Sequence, residues 1–83
     1  MADEVLNIRV NSPEKIIWEG TAVSLSSENS QGVFDILPMH SNFLTVIDNK
    51  KIIVRTQNEN KEFTFPHSVI YAHSNIVNIY TNI

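Results

Sequence analysis

No cysteine occurs among the 83 residues, so disulfides and thiolate chemistry are both excluded. An intracellular, reducing compartment is compatible with that absence. Only two glycines are present, too few for a glycine-rich cradle around a phosphate. Basic residues number six, and only Lys50 and Lys51 are adjacent. With a formal net charge of -3, the chain lacks the concentrated basic surface that nucleic acid requires. The first ten residues carry an acidic pair, Asp3 and Glu4, and no long apolar run. Neither a signal peptide nor a membrane span is therefore expected there, and the chain is expected to be soluble when isolated. No stretch of ten residues or more repeats its apolar positions at a period of 3.6, so no substantial helix is expected.

What is present favours strands. Isoleucine and valine together number 19, against 7 for alanine plus leucine, and branched side chains suit a pleated surface better than a helix. Leu6, Ile8 and Val10 alternate with Asn7, Arg9 and Asn11, the period-2 pattern of a half-buried strand. Ser12-Pro13 ends it, because proline has no N–H for a ladder. Lys15 to Trp18 reads as a second strand, with Gly20 as the corner into a third around Val23 and Leu25. Ser26 to Gly32 reads as a polar loop. Six further strands follow: Val33 to Ile36, Phe43 to Ile47, Lys51 to Thr56, Glu62 to Phe65, Ser68 to Ala72 and Ile76 to Thr81. Turn-forming residues separate them. The expected fold is a single all-β domain over residues 1–83, a two-sheet β-sandwich of about nine to ten short strands.

Catalytic constellations are hard to assemble from these residues. His40, His67 and His73 lack metal-ligand spacing with one another or with an acid. Serine, histidine and aspartate occur without a nucleophile elbow to frame them. A sandwich this small has little concavity for a pair of working carboxylates. No catalytic residue, metal or cofactor is expected. Trp18 and Tyr71 as stacking surfaces for a small ligand are more simply core or edge residues.

The segment "QGVFDILPMHSNFLTVI", Gln31 to Ile47, stands apart. Val33, Phe34, Ile36, Leu37 and Met39 lie too close together for one core face to absorb. Two readings remain open: a corner where the chain crosses between sheets, or a docking edge for a partner.

Read with its neighbours, this segment resembles the N-terminal β-sandwich of the epsilon subunit of F-type ATP synthases (delta in mitochondria). That family carries a first strand, Pro-Glu near the first turn, an aromatic before glycine, and then G-x-[F/L]-G-I-L-P-G-H-A-P-L-L-T. The matching stretches are Leu6 to Val10, Ser12-Pro13-Glu14, Trp18-Glu19-Gly20 and "GVFDILPMHSNFLT" from Gly32 to Thr45. "KIIVRT", "KEFTF" and "NIVNIYTNI" follow in the same order, so the resemblance covers about residues 5 to 83.

The resemblance implies a ten-stranded sandwich in the rotating central stalk, joining the gamma subunit to the c-ring and supporting proton-coupled ATP synthesis without chemistry of its own. It implies a peripheral position on the cytoplasmic face of a bacterial plasma membrane. It places Gln31, Gly32, Val33 and His40 toward the c-ring, and Ser12, Leu44 and Thr45 against gamma. Each has a plainer reading: Leu44 as core, Ser12 as a turn opener, His40 as a partner for local backbone groups. The pattern departs at Asp35 and Met39, usually glycine, at Asn42, usually proline, and at Val33, where an acidic or polar residue is common. The two-helix C-terminal domain of the family has no counterpart before Ile83, so inhibition and nucleotide sensing by that hairpin are not expected of these residues. The alternative is a free-standing β-sandwich binding module that shares the fold.

Overall fold

The computed structural model describes residues 4–40 and 42–81. Asp3 of the acidic pair, and Asn82 and Ile83 at the end of the last matched stretch, lie outside them. Among the described residues nine strands divide between two sheets: β1 (Leu6–Asn11), β2 (Ile16–Ala22), β3 (Ser24–Asn29), β4 (Gly32–Ile36), β5 (Phe43–Asp48), β6 (Lys51–Arg55), β7 (Asn60–Thr64), β8 (His67–His73) and β9 (Ile76–Thr81). One sheet has the order β2-β1-β9-β8-β5 and the other β4-β3-β6-β7. All pairings are antiparallel except β1 with β9, whose parallel register sets Ile8 beside Val77. No helix occurs among the described residues. The two-sheet sandwich is the expected one.

Alternation decides what is buried. Leu6, Ile8 and Val10 of β1 face inward and meet Ile70 and Ile79 of the same sheet and Leu25, Ile52 and Val54 of the other, all at most 1% exposed. Burying side chains of this size contributes roughly 1.5 to 3 kcal/mol each. Half-buried aromatics close the two long sides. Trp18 on β2 meets Phe63 on β7 at 6.1 Å between ring centres. On the opposite side Phe34 on β4 meets Phe43 on β5 at 5.2 Å.

Two expectations are corrected. Gly20 is no corner: β2 runs through it, paired with Ile8, and the chain turns at Val23 instead. The glycine is needed because the Trp18 indole lies over it, so a Cβ built there would fall 2.9 Å from the ring. Ser26 to Gly32 is not a loop either, since β3 continues to Asn29. Its polar residues find partners within the sandwich. Ser26 Oγ donates to Asp35 and accepts from Arg55 Nη1 at 2.6 Å, while Ser27 Oγ donates to the Lys51 carbonyl at 2.9 Å. A strand whose side chains are satisfied by hydrogen bonds needs no apolar alternation.

Tight turns account for most of the positive φ angles. Ser74 (φ 51) and Asn75 (φ 62) form the two-residue connection between β8 and β9, the arrangement whose twist matches a hairpin.

Candidate partner-docking surface

The outward positions of the two sheets differ in chemistry. On the four-stranded sheet they are Val33 and Asp35 of β4, Ser24, Ser26 and Glu28 of β3, Lys51, Ile53 and Arg55 of β6, and Asn60, Glu62 and Thr64 of β7. This face is polar and charged apart from Val33 and Ile53, and Lys51 pairs with Glu62 at 3.4 Å. On the five-stranded sheet, register places Leu44 beside Tyr71, and Val46 beside Val69, which in turn neighbours Tyr80. Leu44 is 66% exposed, Val46 57%, Tyr80 42% and Tyr71 40%. Exposed apolar groups that are cross-strand neighbours form one strip, a feature that marks interaction surfaces. Toward β1 and β2 the same face turns polar, with Arg9 bonded to Glu19 at 2.7 Å.

The residues singled out from the sequence fall in three places. Leu44 is in the strip. Ser12 lies at its margin, following Asn11, the register partner of Tyr80. Its hydroxyl accepts from the Lys15 N–H at 3.2 Å, so it does organise a turn. Thr45 points the other way, half-buried, and accepts from Asn29 Nδ2 at 3.0 Å. Gln31, Gly32 and Val33 sit at the start of edge strand β4, where Gly32 holds φ 125 and Val33 is 78% exposed. His40 lies beyond the other end of β4, its ring 5.9 Å from that of Phe43. The length of β4 separates them, about 13 Å at 3.3 Å per residue. The structure therefore does not gather these four into one cluster: His40 lies past the turn that follows β4, near Leu6, His73 and Asn75.

Val46 and Tyr80 were missed by sequence reasoning. Their signal was apolar residues at both parities of a strand, as in "FLTVI" and "IVNIY", which puts hydrophobic side chains on both faces at once.

A match to the ATP synthase Delta/Epsilon chain beta-sandwich domain extends over residues 5–83. The chain belongs to this family. The ATP synthase epsilon chain of Leptospira borgpetersenii serovar Hardjo-bovis (strain JB197) is 32% identical over 77 residues, covering 93% of this chain and 61% of that one. The epsilon chain of Micrococcus luteus is 37% identical over 51 residues, covering 61% and 56%. The chain thus spans about three fifths of the length of these curated relatives. A chain in the cryo-EM structure of Euglena gracilis mitochondrial ATP synthase, OSCP/F1/c-ring in rotational state 1, superposes with a TM-score of 0.86 at 10% identity, covering 98% of this chain and 52% of that one. At that identity the likeness is one of fold.

The departures from the delta/epsilon pattern acquire physical reasons here. Asp35 is an ordinary strand residue bonded to Ser26, so no positive φ is asked of it. Met39 does keep a glycine-like backbone, φ 68, and its N–H donates to Asn75 Oδ1 at 2.6 Å. Asn42 Oδ1 accepts from His73 Nδ1 at 3.2 Å. Two side-chain hydrogen bonds thus tie the corner between β4 and β5 to the end of the β8–β9 hairpin. Among the described residues no group of three His, Cys, Asp or Glu is placed to hold a metal ion. No helix among them is long and apolar enough to cross a membrane.

Proposed function

We propose that this member of the delta/epsilon family is a non-catalytic central-stalk subunit of an F-type ATP synthase, joining gamma to the c-ring and supporting proton-coupled ATP synthesis as part of the rotor. The observation that carries it is the apolar strip Leu44, Val46, Val69, Tyr71 and Tyr80 on one outer face of a stiff two-sheet scaffold. A joint that transmits torque needs a rigid body and a broad contact, and this face supplies the contact. Family membership and the relatives named epsilon chain support the same reading.

Gamma lies on the strip, with Leu44 near its centre and Ser12 at its margin. Thr45 contributes from beneath, its bond to Asn29 holding β5 against the facing sheet. The c-ring is met by Gln31, Gly32 and Val33 at the start of β4 and by His40 past the turn that follows it. On this reading the subunit sits peripherally on the cytoplasmic face of a bacterial plasma membrane, and the sandwich carries docking and torque while any regulation by helices is not a property of these strands.

The test is capture of the gamma subunit from the same source. A complex of roughly 1:1 is expected, weakened at least about tenfold by Leu44→Asp, or 1.4 kcal/mol, with the melting temperature of the free chain nearly unchanged. A folded chain that captures no gamma would remove the reading and leave a free-standing binding module.

A further inference from the structure

The two long sides of the sandwich end differently. On the side of Trp18 and Phe63, edge strand β2 carries a bulge, the register skipping Ile17 between Trp18 and Ile16. Edge strand β7 on that side carries Lys61 and Glu62, with Glu59 just before it and paired to Lys61 at 3.4 Å. Bulges and charges are the usual devices that keep a sheet edge from pairing with another chain. The β5 edge on the other side has neither. Its register with β8 is regular over all six residues, and its only charge is the last one, Asp48. Among the described residues, no hydrogen bond beyond the β8 ladder reaches the main chain of Phe43–Ile47. An open groove of about 200 Å³ runs beside this edge, bounded by Glu28, Asn29, Ser30, Val46, Asp48 and Lys50.

We infer that β5 accepts a sixth strand: an extended segment of the stalk partner adds antiparallel or parallel to the free edge of the five-stranded sheet. This rests on the docking reading above and specifies how the partner is held. Main-chain N–H and C=O groups supply the affinity, and alternate side chains supply the selectivity. The chemistry of the segment follows from what it must match. Side chains beside Leu44 and Val46 are apolar, because they extend the exposed strip. At the end near the β3–β4 turn a lysine or arginine fits beside Glu28, which shares the groove with Lys50 and with Asp48, the latter already bonded to His67 Nδ1 at 2.9 Å. The β4 edge is the weaker candidate, because its outward face is charged and only Val33 would extend an apolar surface.

Amide hydrogen exchange, followed residue by residue in the full chain with and without the gamma subunit from the same source, tests this directly. In the free chain the alternate β5 amides not bonded to β8 exchange fast. In the complex those amides slow by about tenfold or more, because each gains a ladder bond. A complex that forms while these amides keep exchanging at the free rate overturns strand addition and leaves docking on the face intact. Failure of the complex to form overturns the docking reading and this one with it. Slowed exchange in the chain alone, accompanied by a doubled mass, assigns the edge to a second copy and also overturns the proposal.

Discussion

Met39 is an L-residue held at φ 68, a region that costs a side chain with a Cβ roughly 1 to 2 kcal/mol. Its N–H bond to Asn75 offsets part of that cost, and the unbranched side chain, 74% exposed, clashes with little. Met39→Val is expected to lower stability by about 1 to 2 kcal/mol, because branching at Cβ worsens the same backbone strain. Met39→Gly should fall at or slightly above the parent, the relief being reduced by the greater freedom of unfolded glycine. Thermal melts of the three proteins decide the order. Ser68 presents the opposite case. It is 1% exposed, and its hydroxyl has no hydrogen-bond partner among the described residues. An orphaned buried hydroxyl costs about 1 to 3 kcal/mol, so Ser68→Ala is expected to raise stability by about 1 kcal/mol in urea titration.

At the scale of elements, the corner between β4 and β5 separates neighbours in sequence by environment. Ile36 is 1% exposed, whereas Leu37 is 53% exposed. Ile36→Ala should cost about 2 to 4 kcal/mol and Leu37→Ala less than about 1 kcal/mol; comparable losses from the two would contradict the corner as described. The same corner marks a limit of sequence reading. The crowding of Val33, Leu37 and Met39 was legible in "GVFDILPMH", with a crossing between sheets as one of the two readings left open, but which of these side chains the core absorbs was not. Strand β3 was missed for a related reason: Ser26 and Ser27 look like loop residues until Asp35, Arg55 and the Lys51 carbonyl are brought beside them. Gly20 was misplaced because a glycine that makes room for Trp18 reads, in one dimension, like one that makes a turn.

The whole molecule has a radius of gyration of 11.9 Å, close to the ~12 Å expected of a compact chain this long. Its cohesion comes from the apolar layer between the sheets. The ion pairs Arg9–Glu19, Lys51–Glu62 and Lys61–Glu59 join side chains that are 40% to 60% exposed, where such pairs contribute about 0 to 1 kcal/mol. Stability should therefore change little between low salt and molar salt. If gamma docks on the strip as proposed, its capture should weaken only modestly in molar salt, because most of that surface is uncharged and screening acts only on the acidic end near Glu28. Loss of the complex at moderate salt would place the contact on the charged face of the four-stranded sheet instead.

The sequence by itself determined the class of the fold and the family: period-2 alternation, abundant branched residues and the ordered match from Leu6 to Thr45 are local properties. Only the tertiary structure decided which face of each strand meets water and which strands lie together. The strip depends on β5 pairing with β8 and β8 with β9, contacts between residues far apart in the chain, and a shift of one residue in either register would turn Leu44 and Tyr80 inward. Register is set by the fit of both sheets around a shared core, which no single strand encodes. For that reason Leu44 was named only through the family resemblance, with core as its plainer reading, and Val46, Tyr71 and Tyr80 became its neighbours only once the sheets had formed.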